Sequence, residues 1–151
     1  MRGKILAIAV RTARLGPMKE VSEAKAVVDE GILGDRKVHP DRGVTLLSLE
    51  SWEAVQKDLG VELPWYTRRA NVLVEGLDLG QTIGGTLALG AVRLEIKGET
   101  DPCQAMELFR AGLQAALVPD RRGGVHGRVA QGGFFRPGDP VVLLESGRGE
   151  T

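Results

Sequence analysis

Apolar residues along the chain fall in short runs broken by glycine, proline and charge, and only two stretches carry a helical period. The run Lys4–Val10 (KILAIAV), rich in β-branched residues, predicts a buried strand, and Gly16-Pro17 marks a turn. Ala24, Ala26 and Val28 alternate within Val21–Asp29, which predicts a second strand. Gly31 to Gly43 has polar and turn residues with no period and reads as a loop; Val44–Leu47 reads as a short strand. Ser48 then suits a helix N-cap, with Glu50 in the first turn, Leu49, Trp52, Val55 and Leu59 on one face, and Gly60 at the C-terminal stop. Pro64 to Ala70 is a further loop, followed by a strand over Asn71–Glu75. Thr86–Leu89 and Ala91–Lys97 flank Gly90 as a hairpin. Asp101-Pro102-Cys103 opens a second helix bearing Met106, Phe109, Leu113 and Leu117, which Pro119 ends. Val125–Ala130 reads as a strand, Gly132-Gly133 as a break, Arg136-Pro137-Gly138-Asp139 as a β-turn, and Val141–Glu145 as the last strand before a frayed tail at 146–151.

Seven or eight short strands with two helices and irregular, turn-rich spacing favour a mostly β barrel or sandwich. At 151 residues, with no linker, repeat or low-complexity tract, the chain reads as a single domain, 1–151, with its core over about 4–145. The 21 glycines, about twice the usual share, fit tight turns rather than a helical bundle. Lys and Arg total 20 and so do Asp and Glu, which removes the overall basic footprint of nucleic-acid or anionic-membrane binders. No apolar run reaches the ~20 residues that span a bilayer, and Ile5–Val10 is too short for a signal-peptide core. With one cysteine there is no internal disulfide, so the expected compartment is the cytoplasm.

Phosphate-loop, dinucleotide-fold, zincin and nucleophile-elbow motifs are all missing, and with His39 and His126 as the only histidines a His/Cys zinc cage is not expected. Three clusters are left to carry chemistry. Cys103 follows Pro102 at a predicted helix entry, where unpaired N–H groups would favour a thiolate; position alone leaves open whether it is reactive or a small buried hydrophobe. Arg42, Arg68 and Arg69 lie in loops beside strands, either as anion-binding forks or as solvated charges. Gly34-Asp35-Arg36 with His39 reads either as a loop turn or as a histidine near an aspartate that could act as acid, base or ligand. Gly133 and Gly138-Asp139 read as turn architecture.

Taken in order, these segments resemble one family, the MOSC domain, named for the C-terminal domain of molybdenum cofactor sulfurases. The matching pieces are Gly34-Asp35-Arg36 with His39, Arg42-Gly43-Val44-Thr45-Leu46-Leu47-Ser48, Thr67-Arg68-Arg69-Ala70-Asn71-Val72, Val74 to Leu79, Asp101-Pro102-Cys103, Gly127-Arg128-Val129, Gly132-Gly133 and Arg136 to Val141. The resemblance implies a β-rich, barrel-like domain with few helices. It also implies one of two roles for Cys103: carrier of persulfide sulfur taken from a donor such as a cysteine desulfurase for a metal–sulfur or molybdenum centre of an acceptor metalloenzyme, or ligand to molybdenum. In the second role Arg42, Arg68, Arg69 and Asn71 would bind the molybdenum cofactor (molybdopterin). A non-catalytic scaffold with a buried Cys103 is the third alternative. The chain has no room for the pyridoxal-phosphate desulfurase domain of full sulfurases, so no such cofactor is expected, and neither nucleic acid nor membrane is an expected partner. Arg36 to Arg42 departs from the GD-x-H-x-G form associated with many members.

Overall fold

The computed structural model describes residues 2–147, so most of the expected tail, 148–151, lies outside the described residues. Its strands are β1 (Arg2–Arg11), β2 (Met18–Val21), β3 (Ala24–Val27), β4 (Gly31–Ile32), β5 (Val44–Ser48), β6 (Val72–Glu75), β7 (Thr86–Leu89), β8 (Val92–Glu99), β9 (Val125–Gln131), β10 (Gly133–Phe135) and β11 (Pro140–Glu145); its α-helices are α1 (Leu49–Leu59) and α2 (Leu113–Leu117). The strands run in the order β11-β7-β8-β9-β5-β6-β1, and pairing of β11 with β1 closes them into a seven-stranded barrel. The residues of β1 from Arg2 to Lys4 pair with β11, whereas Ile8 to Arg11 pair with β2, so β2 diverges from the closed barrel. Within the barrel, β5 and β6 run parallel and α1 is the crossover between them.

Two cores explain why β5 and β6 show so little alternation. Leu46, Val72 and Val74 face the barrel interior with Ile5, Ile8, Leu87 and Leu94. Their neighbours Leu47 and Leu73 face outward against Trp52 and Val55 of α1 and Leu113 and Leu117 of α2. Every residue of β5 is therefore buried, as expected of a strand covered on both faces. The ends of α1 are those expected: Ser48 Oγ accepts from Ser51 N at 3.1 Å, and Gly60 is left-handed at φ 68°.

Four expected elements are corrected. The strand over Val21–Asp29 is two strands, because the chain bends at Ser22-Glu23 and β3 leaves the barrel to lie between β10 and β4 in a separate sheet. The loop over Gly31–Gly43 holds β4 and a 3₁₀ turn at Pro40–Arg42, both too short to show a period. Gly132-Gly133 is not a full break, since β10 begins at Gly133. The long second helix is a 3₁₀ stretch, Gln104–Leu108, and then the short α2. Gly112, left-handed at φ 87°, separates them, and the Glu107 carboxylate holds the break by accepting from Gly112 N and Gln114 N at 3.0 and 2.9 Å. Met106, Leu113 and Leu117 still share one core, which is why their spacing imitates a single helix. Among the described residues no helix is long and apolar enough to cross a membrane.

Candidate functional site

The 3₁₀ turn Trp65–Arg68 delivers two adjacent arginines to β6, and the left-handed backbone of Arg69 (φ 69°) sends their side chains apart. Arg68 turns inward and is only 6% exposed. Its Nε donates to Gly123 O at 3.2 Å, Nη2 to Thr100 O at 2.8 Å and Nη1 to the Met106 sulfur at 3.4 Å. These bonds use three of its five N–H groups. Burial lowers its pKa to about 10, opposed by the nearby charges of Cys103 and Asp101 and reinforced by Arg42, so it stays a cation at neutral pH. Arg69 instead donates to Gly16 O and, at 3.2 Å, to Ala13 O, and its guanidinium lies 5.4 Å from the Phe109 ring centre.

These bonds set the position of the segment bearing Cys103. The thiol is exposed, on extended backbone (φ −109°, ψ 171°), and borders an open cavity of about 280 Å³. Cys103, Arg42, Arg68 and Arg69 line this cavity together, with Thr45, Thr100 and Met106 as neighbours. The exposed thiol overturns the buried-Cys103 alternative, and the burial of Arg68 overturns the solvated-charge alternative at that residue. The expected helix N-terminus is corrected too: Cys103 leads into a five-residue 3₁₀ stretch, which has little dipole to offer. The buried cation that shares the cavity wall with the thiol is Arg68.

Arg11, Arg14 and Arg36 line the same cavity, so every Asp, Glu, Lys or Arg on its wall, among the described residues, is an arginine. Arg11 is paired with Asp35 at 2.7 Å. Among the described residues, the guanidinium groups of Arg14, Arg36 and Arg42 have neither hydrogen bond nor ion pair, which leaves an uncompensated field for an anion. Arg11 and Arg14 went unread in the sequence, although Arg11 ends β1 where β6 begins, and the closure of a barrel gathers such strand ends.

Asn71 does not join the cavity wall. It is fully buried; its Oδ1 accepts from Thr45 N at 3.0 Å and Thr45 Oγ1 at 3.1 Å, and Nδ2 donates to Ala9 O at 3.2 Å. It thereby ties β1, β5 and β6 together behind Thr45. His39 caps the 3₁₀ turn, its Nδ1 accepting from Asp41 N at 3.1 Å. His126 lies nearer the chemistry: Nδ1 is 3.2 Å from Thr100 Oγ1, and burial, aided by Arg42, lowers its pKa. A larger cavity, about 560 Å³, opens between the first turns of α1 and the Asp120–Arg122 turn. It has no thiol, Glu50 accepts from Gly76 N, and Arg122 is paired with Asp58. The described residues hold no group of three or more His, Cys, Asp or Glu arranged for a metal ion.

The model of the MOSC domain family matches residues 34–142, a span that includes Arg42, Arg68, Arg69, Asn71 and Cys103. Solved structures agree on the fold. The YuaD protein of Bacillus subtilis superposes with a TM-score of 0.76 at 20% identity, covering 93% of this chain and 94% of that one. YiiM of Geobacillus stearothermophilus gives 0.80 at 19% identity over 97% of this chain and 77% of that one. YiiM of Escherichia coli gives 0.73 at 16% over 95% and 70%. No curated protein matches the chain. With most of its length matched and a closed seven-stranded barrel behind the cysteine cavity, the chain belongs to the MOSC domain family.

Proposed function

We propose that Cys103 carries sulfane sulfur as a persulfide, taking it from a cysteine desulfurase and passing it to the metal–sulfur or molybdenum centre of an acceptor metalloenzyme. The observation that carries this reading is the exposed thiol beside the buried Arg68 cation, in a cavity whose other charged groups are arginines. Persulfide exchange needs a thiolate that a donor sulfur can reach, and an anionic product that its surroundings stabilise. Exposure serves the first need and the arginines the second. A lone thiol with no partner for an internal disulfide suits a carrier that must return to the free form. Cyanide tests the reading. It attacks the outer sulfur of a persulfide, releases thiocyanate and regenerates the thiolate. Protein incubated with a desulfurase and L-cysteine should release about one thiocyanate per chain, and Cys103→Ser none.

The donor chemistry of the cavity also fits the second reading, molybdenum cofactor binding. Cys103 would give the metal a soft thiolate. Arg42 and the unused N–H groups of Arg68 would hold the phosphate. When bound, the cofactor would supply two-electron redox chemistry. Metal analysis of protein from a molybdate-replete host separates the readings: stoichiometric molybdenum that Cys103→Ser loses favours the second.

A further inference from the structure

The hairpin between β1 and β2 stands at the mouth of the cavity, and the carrier role takes from it only the charge of Arg14. Its tip carries Arg14 and Leu15, both exposed and both on the cavity wall. Leu15 is held left-handed at φ 58°, a backbone that leucine rarely adopts. The hairpin is pinned rather than loose. Arg69 donates to the carbonyls of Ala13 and Gly16, Thr12 Oγ1 donates to Pro17 O at 3.0 Å, and Gly16 N donates to Ala13 O at 3.1 Å. Across the cavity, Ala105 lines the wall on the 3₁₀ stretch after Cys103. Leu108 lies three residues on, hence on the same 3₁₀ face, and is 72% exposed. Among the described residues, the mouth thus combines the unpaired guanidinium groups of Arg14 and Arg36 with exposed Leu15, and exposed Leu108 follows on the 3₁₀ stretch just beyond the cavity wall.

We infer that this rim is the docking surface for a protein sulfur donor, which presents an acidic segment with apolar side chains beside its persulfide cysteine. The inference rests on the carrier reading and names the kind of partner it needs. A small anion would be held by Arg42 and Arg68 and would leave Leu15 and Leu108 in water; a protein covers both leucines and also meets the free positive charge. Arg14 and Leu15 precede the family-matched segment, which starts at residue 34, so the hairpin tip is a feature of this chain outside that match. The transfer is redox-neutral. The Cys103 thiolate attacks the outer sulfur of the donor persulfide, a new S–S bond forms to Cys103 Sγ, the donor S–S bond breaks, and the donor cysteine leaves as a thiolate with the electron pair.

The test compares two donors on the full chain: a cysteine desulfurase charged with L-cysteine, and cysteine hydropersulfide as a small donor. Loading is read as thiocyanate released per chain with time. In the Arg14→Glu/Leu15→Asn variant, whose asparagine tolerates the left-handed backbone, the ratio of desulfurase to small-donor rates should fall about tenfold relative to wild type. An unchanged ratio overturns the docking surface. Wild-type protein loaded by the small donor alone overturns the protein-donor inference and leaves the carrier reading standing. Loading by neither overturns the carrier reading and this inference with it.

Discussion

Arg68 Nη2 donates to the carbonyl of Thr100 at 2.8 Å, three residues before Cys103, while Nη1 reaches the Met106 sulfur three residues after it. One buried guanidinium therefore holds the chain on both sides of the cysteine and lines the same cavity as its thiol. Removing it would leave the carbonyls of Thr100 and Gly123 without their donor. Arg68→Gln should cost about 2–4 kcal/mol in urea unfolding, and Arg68→Lys should not restore it, since an ammonium cannot span three acceptors set for a planar fork.

Asn71 should behave as a tie between strands. Asn71→Ala should lower stability by about 2–3 kcal/mol, because it orphans buried groups on Thr45 and Ala9. In conditions where the variant is folded, iodoacetamide should label Cys103 at the wild-type rate. A slowed thiol in a fully folded variant would mean that Asn71 acts on the cavity itself.

The arginine wall should discriminate between alkylating agents by charge. Iodoacetate should gain on iodoacetamide at Cys103 relative to their ratio at a free thiol. The gain should shrink severalfold in Arg36→Gln/Arg42→Gln and with added salt, as the screening length falls from about 10 Å at 0.1 M to about 3 Å at 1 M. A ratio indifferent to both would show that these guanidinium groups do not act at the sulfur.

His126 links stability to pH. Burial lowers its pKa in the folded state, so the unfolded chain takes up the proton first as the pH falls. The stability is present above about 6.5, the unfolded value, and is lost as the pH drops through the lower folded value. Thermal midpoints measured from pH 7.5 to 5 should fall less steeply for His126→Gln than for wild type; parallel curves would assign the slope to other groups.

Much of the barrel was legible because its signals are local. Ser48 and Gly60 bracket α1 by their own cap chemistry, and the runs of β1 and β5 need only be apolar to be strands buried on both faces. The helix after Cys103 was misread because Gly112 breaks it while the flanking residues keep a shared core. The site was half legible. Cys103 and the loop arginines declare their chemistry by residue type, but burial of Arg68 depends on carbonyls 32 and 55 residues away in the chain. Arg11 and Arg14 reach the cavity through the pairing of β1 with β6 and through the bonds from Arg69 to the hairpin, contacts between distant parts of the chain that no local pattern reveals.

That Cys103 holds transferable sulfur is tested most directly by the intact mass of the native chain after incubation with a cysteine desulfurase and L-cysteine. The expected result is an added mass of about 32 Da, one sulfur, removed by dithiothreitol and absent from Cys103→Ser. An unmodified wild-type chain, or the same adduct on the serine variant, would contradict it.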